Sequence, residues 1–261
     1  MSEREPELLE RILAQKHTDV AALRHRALPS PPARRAVSLR RAGRLHLIAE
    51  IKLRSPSAGP LSRVLSVAER AAAYAECGAD MVSVLCDRTF FDGAFEHLAE
   101  ARAACELPLL CKDFVIDEVQ LDLARAFGAD AVLLIVRCLS EQRLRELVVA
   151  ARERELEPFV EVASAAEAPA ALDAGASLIG VNARDLNTLA MDTERARSVL
   201  ADLPAAVTRV HLSGLSVASN VATVADGPAD AALLGEALMR QDDPRKLLTL
   251  MVSAARGDGV A

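Results

Sequence analysis

The stretch LPLLCKDFVIDEVQLDLARAFGADAVLLIV, residues 107–136, sets the reading of this chain. A short apolar run, Leu109–Lys112, gives way to a longer segment with apolar residues at helical spacing. A Gly128-Ala129 pair follows, and a second apolar run, Ala131–Val136, begins at once. Glycine next to the last helical turn fits a C-cap from which the chain turns straight into a strand. A strand, a helix and a strand reached through so short a turn lie parallel in one sheet.

The same alternation runs from about residue 45 to the end. Candidate strands are His46–Lys52, Met81–Cys86, Leu109–Lys112, Ala131–Val136, Phe159–Val162, Leu178–Asn182, Val207–Leu212 and Ala231–Leu234, and Gly-Ala pairs recur at Gly78-Ala79 and Gly175-Ala176. An open doubly wound sheet uses such units too, but no GxGxxG turn follows any strand. Eight units in 261 residues fit a closed barrel, which also leaves no sheet edge exposed. The expected fold is therefore α/β, a (β/α)8 TIM barrel in a single domain over 1–261, with an N-terminal helix and loop extension over 1–44 and the barrel over 45–261. Within the extension, Glu7–Arg24 reads as a helix, and the stretch PSPPARRAVSLRR as a solvated loop near the barrel mouth.

Composition narrows the function classes. Hydrophobic residues make up 51% of the chain and aromatics only 3%, so Ala, Val and Leu must fill the core. A net charge of −6 and the lack of a Lys/Arg cluster with interleaved aromatics argue against nucleic acid as a partner. The N-terminal MSEREPELLERILAQK is acidic and amphipathic, unlike an export signal, and no run approaches the roughly 18 apolar residues of a membrane span. A cytoplasmic protein with no membrane partner is expected. Cys77, Cys86, Cys105, Cys111 and Cys138 show no CxxC spacing and read as packed thiols rather than metal ligands or disulfides.

The chemistry emerges from polar residues that interrupt strands otherwise reading as buried. In LIAEIK, Glu50 and Lys52 are two apart and leave one face of the strand near its C-terminal end. Lys112 ends the third strand, Glu161 lies in FVEV of the fifth, and Asn182 and Arg184 are again two apart in GVNAR. Barrel active sites are built at these strand ends. Only four of the 31 basic residues are lysines, and two of them stand here. A desolvated ammonium can give up its proton where a guanidinium cannot, so Lys112 is a candidate acid. The competing reading is a buried structural ion-pair layer, costly unless every charge is paired. Ser213-Gly214 and Gly235-Glu236 close the seventh and eighth strands, where glycine lets backbone N–H groups approach a phosphate.

With these residues in view, the chain resembles the indole-3-glycerol phosphate synthase family of tryptophan biosynthesis. The likeness spans nearly the whole chain, through LLERILAQKHTDVAALR, IAEIKLRSPSAGPL, SVLCDRTFFDGAFEHL, LPLLCKDFVIDEVQL, GADAVLLIV, FVEV, IGVNARDLNT, SGL and LLGEALMRQDDP. The resemblance implies a ring-closing decarboxylation and dehydration of 1-(o-carboxyphenylamino)-1-deoxyribulose 5-phosphate. It places the general acid on Lys112, a base or second acid on Glu161, assisting groups on Glu50 and Asn182, and anion-holding side chains on Lys52, which also serves the chemistry, and Arg184. Ser213, Gly214, Gly235 and Glu236 match phosphate and substrate contacts. Phe91, Phe114, Leu133 and Leu186 match the apolar pocket for the aromatic ring, and Ser55 the mobile first loop. No metal or other cofactor is implied. The enzyme would act as a monomer, with association with other tryptophan-pathway enzymes open to it.

One departure stands out. The family pattern has Glu-Ser-Gly at the end of the seventh strand, where this chain has Leu212-Ser213-Gly214. Losing one charged hydrogen-bonding group costs about 1.5–3 kcal/mol, or about ten- to a hundredfold in rate. His211 is no simple substitute, because strand alternation turns it away from Leu212. Two other readings stay open on sequence alone. One is a diverged, non-catalytic binding or scaffold paralogue, against which the retained charged set argues. The other is a related barrel acting on a different sugar phosphate, against which the apolar Phe91, Phe114 and Leu186 set argues.

Overall fold

A computed structural model describes residues 7–257; the remainder of the 1–261 span expected as one domain lies outside the described residues. Eight parallel strands close into a barrel: β1 (His46–Ile51), β2 (Met81–Leu85), β3 (Leu109–Lys112), β4 (Ala131–Ile135), β5 (Glu157–Val162), β6 (Leu178–Asn182), β7 (Thr208–Leu212) and β8 (Ala231–Leu234). Each lies where the apolar runs placed it, within one or two residues at either end. Sequential neighbours pair, and β8 returns to β1 with His46 opposite Ala231. A two-residue ladder of Arg54–Ser55 against Gly59–Pro60 in the loop after β1 was not expected, and nothing so short carries an apolar period.

Helices alternate with the strands around the outside: α2 (Val67–Glu76), α3 (Arg88–Phe91), α4 (Glu96–Ala104), α5 (Glu118–Ala126), α6 (Glu141–Glu153), α7 (Ala168–Asp173), α8 (Thr193–Asp202), α9 (Ala218–Ala225), α10 (Glu236–Met239) and α11 (Arg245–Arg256). Their starts follow local chemistry. Ser66, Asp87, Asp117, Ser140 and Asp192 each accept a backbone N–H of the first turn and supply a partner that the helix itself lacks. Their ends follow the Gly-Ala pairs. Gly78, Gly128 and Gly175 take φ between 80° and 99°. The alanine after each bonds back to the carbonyl of Tyr74, Ala124 or Ala171, closing the helix before the strand begins.

An aspartate at the strand entrances ties neighbouring strands together. Asp80 before β2 accepts the Leu47 N–H of β1 at 2.8 Å, Asp130 before β4 accepts that of Leu109 in β3 at 2.8 Å, and Asp230 before β8 accepts that of Arg209 in β7 at 2.8 Å. These contacts pin the register at the N-terminal rim and leave the opposite rim free to carry function.

The extension spans both ends of the barrel. The helix expected over Glu7–Arg24 forms as α1 (Leu8–Leu23), with its Leu9 and Ile12 buried over the C-terminal rim beside Phe114 and Ile135. Burial of each contributes about 1.5–3 kcal/mol. The PSPPARRAVSLRR stretch corrects the sequence expectation. It runs across the N-terminal rim, far from the site: Arg35 N–H bonds Asp130 at 2.6 Å and Arg41 N–H bonds Asp230 at 3.2 Å. Leu39, only 2% exposed, caps the apolar column inside the barrel with Ile48, Met81 and Leu110. Proline and arginine around it read as solvated, yet Arg35 pairs with Glu106, Arg40 and Arg41 bond backbone carbonyls of Ala205, Ala206, Gly227 and Ala229, and the leucine between them closes the barrel floor. The five cysteines are free thiols, three of them buried, as expected of packed side chains.

Candidate active site

Inside the barrel the side chains change character with height. Ile48, Leu110, Phe159, Val210 and Leu233 fill the lower and middle levels, while Glu50, Lys112, Glu161 and Asn182 come from the last residues of β1, β3, β5 and β6. Above them opens a cavity of about 330 Å³. Every residue singled out from the sequence lines it: Glu50, Lys52, Ser55, Phe91, Lys112, Phe114, Leu133, Glu161, Asn182, Arg184, Leu186, Ser213, Gly214, Gly235 and Glu236.

Glu50 is the electrostatic centre of the site. It is 2% exposed, with Lys52 Nζ at 2.9 Å from one oxygen and Lys112 Nζ at 3.6 Å from the other. Burial alone would raise its carboxyl, but the two ammonium groups outweigh burial and hold it below the ordinary range. Burial likewise works against the Lys112 ammonium, yet Glu50 and Glu161 prevail and lift its pKa above the ordinary value. Glu161 goes the other way. Burial dominates there and pushes its carboxyl up, only partly offset by Lys112 and by Asn182 Nδ2, which donates to Glu161 Oε1 at 2.9 Å. Two carboxylates in one cavity thus hold protons with different strengths, the arrangement needed for acid and base roles side by side. Among the described residues, Glu161 Oε2 is buried without a hydrogen-bond partner.

Asn182 is fixed from its other end, since its Oδ1 accepts the Arg184 N–H at 2.9 Å. Arg184 reaches Glu236 at 3.8 Å, and Glu236 also holds Arg240 at 2.8 Å. Arg240 lines the cavity as well and was not anticipated; on an exposed helix turn it reads as a solvated i,i+4 partner. The β7 turn places Ser213 and Gly214 at φ 71° and 82°. At the β8 turn a Cβ on Gly235 would collide with Glu50 Oε1, so glycine there makes room for the central carboxylate.

The aromatic wall is formed by Phe91 and Phe114, with ring centroids 6.0 Å apart. Leu8, Leu9 and Ile12 of α1 cover the same cavity. The hydroxyl of Ser55 is 3.0 Å from the Ala58 N–H it accepts, closing the tight turn of the first loop. Leu212 sits in the interior column, opposite Asn182 in the β6–β7 register and touching the same cavity. His211 points out of the barrel as strand alternation requires, its Nε2 3.0 Å from the Ser213 carbonyl, and burial lowers its pKa.

A group that sequence reasoning passed over stands beside this wall. Lys16 of α1, 3% exposed, reaches Asp87 at 2.8 Å and Asp113 at 2.7 Å. Lysine in an amphipathic helix reads as solvated, and its partners are far along the chain. The available signal was that Asp87 and Asp113 both follow the ends of strands.

Fold and cavity together define an acid–base barrel enzyme with its site at the C-terminal rim and an aromatic wall beside its charged groups. The chain belongs to the indole-3-glycerol phosphate synthase family, whose profile matches residues 9–250. An indole-3-glycerol phosphate synthase of Exiguobacterium is 44% identical over 78% of this chain and 80% of its own. Indole-3-glycerol phosphate synthase 2 of Streptomyces coelicolor is 46% identical over 86% of this chain and 87% of its own. Among solved structures, a 3-hexulose-6-phosphate synthase superposes with a TM-score of 0.67 at 18% identity, covering 80% of this chain and 99% of that one, a likeness of fold alone.

Proposed function

We propose that this chain closes the indole ring of 1-(o-carboxyphenylamino)-1-deoxyribulose 5-phosphate, releasing CO2 and water to leave indole-3-glycerol phosphate, the reaction of a carboxy-lyase. The observation that carries this reading is the Lys112–Glu50–Lys52 cluster facing Glu161 across a cavity with a phenylalanine wall. The aromatic ring lies between Phe91, Phe114, Leu133 and Leu186, and the phosphate meets Lys52, Arg184 and the turns of Ser213-Gly214 and Gly235-Glu236. Ser55 shapes the first loop over it.

Lys112 gives a proton to the sugar carbonyl oxygen as the ring carbon bearing the carboxylate attacks the carbonyl carbon. The carbon–carboxylate bond then breaks, its electrons restore the aromatic ring, and CO2 departs. In the second half a proton leaves toward Glu161, held in place by Asn182, while an ammonium protonates the departing hydroxyl and water is lost. Glu50 stands between Lys52 and Lys112 and keeps Lys112 charged. Cytoplasmic residence, action as a monomer and association with other tryptophan-pathway enzymes belong to the same reading. So does the division into a single barrel domain with its extension. Incubating the protein with the carboxyphenylamino substrate and following indole fluorescence tests it: a signal that Lys112→Ala abolishes supports the reading, and no signal from the parent chain overturns it.

A further inference from the structure

Lys16 belongs to no part of the mechanism above, yet it is more deeply buried than either lysine of the cavity, at 3% exposure on a helix whose outer face is solvated. Burial opposes its charge, but Asp113 and Asp87 overcome it and raise its pKa. Burying an ammonium between two carboxylates is costly unless the geometry does something else with them.

Each aspartate has a second task. Asp87 Oδ1 accepts the Phe90 N–H at 2.7 Å and so starts α3, the short helix that ends on Phe91. Asp113 Oδ1 accepts the Phe114 N–H at 2.9 Å, and its Oδ2 accepts from Gln120 Nε2 at 2.9 Å. The two carboxylates therefore fix the two backbone turns that carry the two rings of the wall, and Asp113 directly follows Lys112. A single ammonium joins both turns to α1, which contributes Leu8, Leu9 and Ile12 to the cavity.

We infer that Lys16 is a positioning residue for the aromatic end of the site: acting through Asp87 and Asp113, it sets the distance between the Phe91 and Phe114 rings and holds α1 over them. The inference rests on the aromatic substrate proposed above and adds how this chain grips it. Its effect is confined to one end of the cavity, because the turns at Ser213-Gly214 and Gly235 follow β7 and β8 and, among the described residues, share no hydrogen bond or ion pair with the cluster. Looser rings weaken capture of the aromatic moiety and leave the phosphate end as it was.

The test compares the parent with Lys16→Met and with a charge-neutral triple variant, Lys16→Met, Asp87→Asn and Asp113→Asn. In the triple variant, the asparagine oxygens still accept the two N–H groups, so both turns persist without unpaired buried charge. Binding of anthranilate, a ring without sugar, and of glycerol 3-phosphate, a phosphate without ring, is measured by calorimetry beside KM and kcat. The expected result is anthranilate Kd and substrate KM raised about tenfold, with glycerol phosphate Kd unchanged and kcat within about threefold. Equal weakening of both ligands would reveal a structural role only, and unchanged anthranilate binding would remove the role altogether; either overturns the inference. A parent chain that binds glycerol phosphate but not anthranilate would instead refute the aromatic substrate itself.

Discussion

Lys112 Nζ stands 3.6 Å from Glu50 Oε2, and that carboxylate keeps the proposed acid protonated against the cost of its burial. Removing the carboxylate while keeping its shape removes the support. In Glu50→Gln the alkaline limb of the kcat/KM profile, where Lys112 loses its proton, is expected to move to lower pH. A pH–rate series on parent and variant checks this, and an unmoved limb would mean that another group sets it.

Glu50 and Glu161 are expected to have opposite effects on stability. The carboxyl of Glu50 is held below its ordinary value, so it stabilises the fold above the unfolded pKa near 4.5 and loses that contribution as pH falls through its lowered folded pKa. Glu161 is raised, so the folded chain holds a proton longer than the unfolded one, and stability falls as pH rises from about 4.5 through its folded pKa. At pH 7, Glu161→Gln should therefore stabilise by about 1 kcal/mol while impairing turnover. Glu50→Gln, which leaves two ammonium groups facing one another, should destabilise by about 1–3 kcal/mol. Thermal melts from pH 4 to 8 check both signs.

Gly235 is required by the side chain that passes it. In Gly235→Ala the added methyl meets Glu50 Oε1, so Glu50 must swing away from Lys52 and Lys112. The chain should still fold, with its melting temperature lowered by several degrees because the same two ion pairs are lost, while kcat/KM falls about a hundredfold. Retained activity would show that Glu50 need not hold both lysines.

Leu212 is the place where this chain departs from the family pattern. Leu212→Glu puts a carboxylate opposite Asn182 at the cavity wall, and it displaces apolar contact with the Gly180 and Phe159 side of the barrel. The variant should gain about ten- to a hundredfold in kcat/KM and lose about 1–3 kcal/mol of stability. Steady-state kinetics and melts on the same preparation check the trade. A slower variant would mean that the chain has rebuilt its site around the leucine.

The barrel was legible because each of its strands is a short apolar run between helical segments, and Gly-Ala turns mark the joins. Glu50, Lys112, Glu161 and Asn182 were legible because a charge or amide inside such a run has few reasons to be there. What escaped notice depended on long-range partners. Lys16 looks like a surface lysine until Asp87 and Asp113 are brought to it, and Leu39 looks like one apolar residue in a solvated loop until the barrel floor closes under it. The Pro/Arg stretch reads as lying at the mouth for the same reason, since the partners that draw it to the opposite rim, Asp130 and Asp230 among them, lie far along the chain.

The most direct test of the central claim is a single-turnover measurement of indole-3-glycerol phosphate formation by the parent and by Lys112→Met, with binding of the substrate measured on both. The account predicts that the methionine variant binds substrate within about tenfold of the parent and forms product at least about a thousandfold more slowly, the loss of a positioned acid. Product formation by Lys112→Met at a rate near the parent's would contradict it.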